Sequence, residues 1–195
     1  TYTILMTVRV NFMIKTIIET NRLYLKILDE TYCNQVADFL VNNKEFFAPF
    51  ETSKAPFFYS PMYQKNILDR EFKASLNKEY LRYYVFLKTE PNKIIGTVSF
   101  GNIMSFPYCS ATIGYRFDKA HTGCGYAAES LASAIPYAFS ALKLHRICAY
   151  ILPDNLPSIK LAERLGFTRE GLCESNLNVN GVWKSHYQYS LVNHH

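Results

Sequence analysis

Gly123-Cys124-Gly125 lies within the run Lys119-Ala120-His121-Thr122-Gly123-Cys124-Gly125-Tyr126-Ala127-Ala128-Glu129, between a strand-like stretch (Ser110 to Phe117) and a helix-like one (Tyr126 to Leu142). Two glycines one residue apart let successive backbone N–H groups turn toward one point, with no Cβ in the way. The helix that follows adds its own unpaired N–H groups and the positive end of its dipole. The chemistry such a corner offers is anion binding, above all of a pyrophosphate. Glycine pairs also occur in plain loops, so the corner gains meaning only from its surroundings. Cys124 reads either as a small residue tolerated between the glycines or as a nucleophile activated at a helix N-terminus.

The elements that must position this corner follow from the pattern of the chain. Asn21 to Leu28 alternates apolar and polar residues as a half-buried strand does. Asp29 or Thr31 caps a helix whose apolar face uses Cys33, Val36, Ala37 and Leu40. The aromatic run Glu45 to Glu51 is too rich in Pro and Phe for regular structure, and Ser60-Pro61 opens a second helix reaching about Leu76. Leu81 to Lys88 and Ile94 to Asn102 read as strands joined by the turn Glu90-Pro91-Asn92-Lys93. After the corner and its helix come a strand at Arg146 to Ile151 and a helix from Leu156 to Leu165, capped by Asn155 and ended by Gly166-Phe167. Two last strands, Thr168 to Asn176 and Trp183 to Val192, flank the hairpin signal Asn180-Gly181.

Composition limits the function classes. With 195 residues, 49% of them hydrophobic and 19% charged, the chain suits one ordered domain. The charge of +5 is scattered and no basic run interleaves with aromatics, which argues against nucleic acid as a partner and leaves an anionic ligand open. Five widely spaced cysteines without a C-x-x-C pair support neither a zinc site nor a disulfide framework; reduced thiols in the cytoplasm are expected, with no metal. Arg9, Asn11 and Lys15 break up the apolar N-terminal stretch, so no membrane span is expected there. Residues 1–19 read as an extension with a candidate first strand, Met6 or Met13 as a candidate natural start, residues 20–193 as one domain, and His194-His195 as part of an added tag. Monomer and homodimer are both compatible with the sequence.

The order β-α-α-β-β-β-α-β-α-β-β resembles the GNAT N-acetyltransferase superfamily. So do the glycine corner with Glu129, Asn155-Leu156-Pro157-Ser158 with Leu165-Gly166-Phe167, and Phe167-Thr168-Arg169-Glu170-Gly171 with Asn180-Gly181-Val182-Trp183. Together with Leu144-His145-Arg146, the last set is similar to the Rim-type branch, which acetylates protein N-terminal amines, chiefly on ribosomal proteins. The resemblance implies an α/β (α+β) fold: a mixed, largely antiparallel sheet of six to seven strands, about four helices, and a central parallel pair that splays apart. It implies acetyl-CoA as co-substrate, with pantetheine on the backbone of Ile113, Gly114 and Tyr115. The pyrophosphate would sit on the N–H groups of His121, Thr122, Gly123, Cys124, Gly125 and Tyr126. Three positions depart from the family. Ala120 stands where Gln or Arg is frequent, so the grip on phosphate is expected to rest on backbone. Ala162 replaces the tyrosine that protonates the leaving thiolate, a role the Rim branch gives to the serine matched by Ser158. Leu177 stands near an acidic position of some members.

Acetyl transfer needs a deprotonated amine, a polarised thioester carbonyl and an acid for the thiolate. Attack is expected to be direct. Asn155 is either a helix cap alone or also a hydrogen-bond donor to the thioester region, and Ser158 either an ordinary first-turn serine or the acid. Glu51 is the preferred candidate base; Glu45 is a second, and both also read as solvated loop charges. His121 and His145 read as positioning or structural, and Glu129 as a first-turn carboxylate that favours its helix dipole. Phe47, Phe50, Phe57, Tyr59 and Trp183 wall an acceptor cavity or pack the core. The acceptor is expected to be an amine, foremost a protein N-terminus. The alternatives are a small-molecule amine, a non-catalytic acyl-CoA sensor and a P-loop nucleotide binder, the last lacking the Lys-Ser/Thr pair.

Overall fold

A computed structural model of the chain describes residues 14–194; Met6, Met13 and His195 lie outside them. Eight strands form one sheet: β1 (Ile17–Glu19), β2 (Leu23–Lys26), β3 (Leu81–Leu87), β4 (Glu90–Met104), β5 (Ser110–Phe117), β6 (Arg146–Ile151), β7 (Thr168–Val179) and β8 (Val182–Val192). Their order is β1-β2-β3-β4-β5-β6-β8-β7. Every neighbouring pair is antiparallel except β5 and β6. The helices are α1 (Cys33–Asn42), the single turn α2 (Lys44–Phe47), α3 (Pro61–Leu76), α4 (Tyr126–Leu142) and α5 (Leu156–Arg164).

Period-2 alternation along the strands sends consecutive residues to two cores. Tyr83 and Val85 join the core that α4 and α5 cover with Leu131, Ala134, Ile135, Ala138 and Ala162. Tyr84 and Phe86 face the other way, toward Val36, Phe39 and Leu40 of α1 and Leu68 of α3. The α4 set recurs at helical spacing, which is why this helix lies flat on the sheet with its N-terminus at the β5 end.

Four details depart from the sequence reading. Eight strands replace six to seven, because Ile17–Glu19 pairs with β2 at the sheet edge. Five helices replace four, because Lys44-Glu45-Phe46-Phe47 winds one helical turn inside the aromatic run expected to be irregular. Phe47 drives that turn by burying its ring against Phe39, centroids 5.7 Å apart. The segment Glu90 to Lys93, expected to be a turn, belongs to β4, where register shifts absorb it and the reversal occurs just before it. The final hairpin is longer than expected, with β7 running to Val179. Asn180 and Gly181 turn it with φ of 52° and 84°, the two positive values a two-residue type I′ turn demands.

Candidate active site

The β5–β6 ladder is short. Ser110 pairs with Arg146, Ala111 with Ile147 and Thr112 with Cys148, and then the strands part. Ile113, Gly114 and Tyr115 have β4 on one side and no strand on the other, so the expected splay is present. Unpaired strand backbone at this point can bond an amide-bearing chain laid along it.

At the far end of β5 the chain makes a 3-10 turn at Lys119–His121, capped by Asp118, whose Oδ1 accepts from the Ala120 N–H at 3.0 Å. It then enters the glycine corner. Gly123 and Gly125 take φ of 76° and 80°, the left-handed region where a side chain is strained. A Cβ on Gly123 would meet nothing within 4 Å, so space lies open in front of the corner. The His121 and Thr122 N–H groups are already bonded, to Asp118 O and Lys119 O at 2.9 and 3.4 Å. The available run therefore begins two residues later than the sequence suggested, at Gly123. It continues into the first turn of α4, where Glu129 N–H makes the first bond back, to Gly125 O at 3.1 Å.

A residue that sequence reasoning overlooked braces this corner. Arg22, just ahead of β2, donates through Nη1 to Cys124 O at 3.1 Å and through Nε to Glu129 Oε2 at 2.7 Å. Its guanidinium lies over the Tyr126 ring, 4.5 Å from the centroid. Glu129 Oε1 also accepts from the Arg22 N–H at 2.8 Å and from Thr20 Oγ1 at 2.6 Å. Burial opposes ionisation of this carboxyl, but the bonds from Thr20 and Arg22 outweigh it and hold it below the usual carboxylate range. Arg22 Nη2 stands 3.4 Å from where a Gly125 Cβ would be. The corner thus has a cation beside it, although position 120 supplies none. The only signal in the sequence was an arginine at the start of an expected strand.

Asn155 and Ser158 meet at the head of α5, across the fork. Asn155 Oδ1 caps the helix by accepting from the Ser158 N–H at 3.2 Å, while its Nδ2 has no partner among the described residues. Ser158 Oγ has none there either. The Tyr115 hydroxyl reaches over from β5 to donate to Ser158 O at 3.3 Å, and burial pushes its pKa up. Tyr115 therefore brings a side chain to the fork as well as backbone.

Glu51 lies on the side where the acceptor is expected. Arg116 Nη1 donates to its Oε1 at 2.5 Å, and the same guanidinium lies 5.4 Å from the Phe47 ring centroid. Deeper on this face of the sheet, Glu71 of α3 pairs with Arg82 of β3 at 2.7 Å. Burial lifts the Glu71 carboxyl above its ordinary range despite that partner. Of the aromatic wall candidates, Phe47 and Tyr59 line a cavity of about 180 Å³. Phe50, Phe57 and Trp183 project into solvent. The hairpin tip forms one wall of the cavity: Asn180 Nδ2 donates to Ala48 O at 2.5 Å, and Ser53 Oγ donates to Asn180 Oδ1 at 2.9 Å. Glu45 and His145 are exposed, and His121 Nδ1 lies 3.2 Å from Asp118 Oδ2, a positioning contact.

Comparison with known proteins agrees with this geometry. The sequence family described as "Acetyltransferase (GNAT) domain" matches residues 22–168. A Bacillus subtilis (strain 168) protein described as "Probable N-acetyltransferase YjcK" is 33% identical over 171 residues, covering 88% of this chain and 94% of that one. The "[Ribosomal protein uS5]-alanine N-acetyltransferase" of Escherichia coli (strain K12) is 28% identical over 181 residues, 91% of each chain. The structure of the ribosomal-protein-S5-alanine acetyltransferase from Vibrio fischeri superposes with a TM-score of 0.88 at 29% identity, covering 92% of this chain and 98% of that one. The chain belongs to the GNAT family and is an acetyl-CoA-dependent N-acetyltransferase.

Proposed function

We propose that the acceptor is the α-amine of a protein or peptide chain, as it is for the ribosomal-protein alanine acetyltransferases among the relatives. The observation that carries this reading is the build of the acceptor side. A loop and a hairpin tip, pinned together by Asn180, wall a cavity that Glu51 also lines and that an extended chain end can enter. Likeness to the uS5-type relatives over nearly the whole chain supports it.

Bound acetyl-CoA supplies the acetyl thioester. The N–H run from Gly123 into α4 fits a pyrophosphate, because its donors make no bonds back to the chain, space lies open at Gly123, and Arg22, held by Glu129, stands beside it. Ile113, Gly114 and Tyr115 offer backbone partners for the pantetheine amides. At the head of α5, Ser158 Oγ donates a proton to the departing thiolate and Asn155 Nδ2 donates a hydrogen bond beside it. Glu51 keeps Oε2 clear of the Arg116 bond and takes the proton of the incoming ammonium, directly or through water. Transfer is direct, from thioester to amine.

The test offers acetyl-CoA with intact ribosomal proteins and a panel of small amines, and locates the acetyl group by tandem mass spectrometry. Acetylation of a protein α-amine is the expected result. Turnover of small amines alone would replace the acceptor class and leave the donor site untouched.

A further inference from the structure

The acceptor cavity holds more positive charge than its own carboxylates balance. Lys44 and Lys54 both line it. Both residues are exposed, and their ammonium groups lie over aromatic rings that line the cavity: Lys44 Nζ is 5.0 Å from the Tyr59 centroid and Lys54 Nζ 5.4 Å from that of Phe58. Lys54 Nζ also donates to Thr52 Oγ1 at 2.8 Å, which fixes its direction. Their stems cover apolar surface while the charged heads stay in water at the rim of the cavity. Neither ammonium has a carboxylate partner among the described residues. The sole carboxylate lining the cavity, Glu51, is held by Arg116 at 2.5 Å. Ring faces stabilise the cations modestly while excluding water on one side, and this strengthens any anion that enters.

One ion pair links the cavity to β5. Glu51 is joined to Arg116, the residue after Tyr115 on the bare length of β5. An extended peptide advances about 3.3 Å per residue, so side chains just behind a reacting N-terminus reach this space.

We infer that the chain ends acetylated by this protein carry an acidic side chain within their first few residues, received between Lys44 and Lys54 in the cavity under Asn180. The inference rests on the N-terminal reading above. Acid recognition here comes from point charges rather than a bidentate arginine fork, so it selects charge and tolerates either Asp or Glu.

The experiment uses synthetic peptides that share one N-terminal residue and differ only in carrying Glu, Gln or Lys at the second, third or fourth position. Turnover with acetyl-CoA is followed by thiol release. The Glu peptides are expected to exceed their Gln counterparts about tenfold in kcat/KM, the order of two exposed ion pairs. That margin should shrink as salt is raised. The double variant Lys44→Gln, Lys54→Gln should bring the Glu and Gln peptides level. Lys44→Glu with Lys54→Glu should turn the preference toward the Lys peptides, a gain that misfolding does not produce. Peptide turnover indifferent to charge, or a preference that survives these changes, overturns the inference and leaves the N-terminal reading standing. Turnover confined to small amines overturns both.

Discussion

At the donor end of the cleft the groups that face inward are backbone. In the proposed site the N–H run after Gly123 and the bare edge of Ile113 to Tyr115 bind CoA, while Arg22, Glu129 and Thr20 stand behind and hold them in shape. At the acceptor end the lining groups are side chains on short turns and connections: Glu51, Lys44, Lys54, Tyr59 and the amide of Asn180. The difference teaches where variation is tolerated. A backbone cradle depends on φ values and survives most side-chain changes outside its glycines, so it can serve one donor while the rest of the sequence drifts. A cavity of loop side chains can be rebuilt for a new acceptor without disturbing the sheet.

That contrast can be broken most sharply at Gly125. Gly125→Val forces a β-branched residue into left-handed backbone, so CoA affinity measured by calorimetry should fall by more than about a hundredfold. Ser158→Ala should lower kcat by about tenfold to a hundredfold while leaving CoA affinity within about twofold, if its hydroxyl is the acid. Unchanged kcat would remove that role. Arg22→Gln should weaken CoA binding about tenfold, and added salt should narrow the gap from wild type, since a screened cation is what was lost. At the other end, Asn180→Ala removes both bonds between hairpin and loop. It should raise the acceptor KM about threefold to tenfold with the CoA affinity held.

The smallest effect is on acid stability. The Glu129 carboxyl has its pKa depressed in the folded state, so its contribution is complete above the ordinary value of 4.5 and is lost as pH falls through the lower folded value. Glu170 behaves alike and more strongly: hydrogen bonds from Arg146, Ser190 and Gln188 hold it at about 2. Thermal melts from pH 5 down to 2 should therefore show Glu129→Gln and Glu170→Gln losing less stability than wild type across that range. Parallel curves would deny both carboxylates this role.

The glycine corner, the α5 cap and the final turn were legible in the sequence because their determinants are local. Two glycines between a strand and a helix require a corner, Asn155 ahead of an apolar-faced segment requires a cap, and Asn180-Gly181 requires a hairpin, whatever the tertiary context. Arg22 was not legible: its partners lie a hundred residues further along, and a cation at the start of a strand looks the same whether it braces a corner or faces water. Asn43 escaped for the same reason; its Oδ1 accepts from the Lys119 N–H at 3.1 Å and so ties the acceptor loop to the approach of the donor corner. The helical turn of α2 went unseen because burial of Phe47, rather than local propensity, stabilises it. The acceptor cavity is assembled from the run between Leu40 and Tyr59 together with Asn180, and no single stretch carries its pattern.

The most direct test of the division between the two ends is a backbone amide NMR titration of the protein with CoA. The account predicts that the largest shifts fall on Gly123 to Ala128 and on Ile113 to Tyr115, with Lys44, Ser53 and Lys54 little moved. Shifts concentrated on those acceptor residues, with the glycine corner silent, would contradict it.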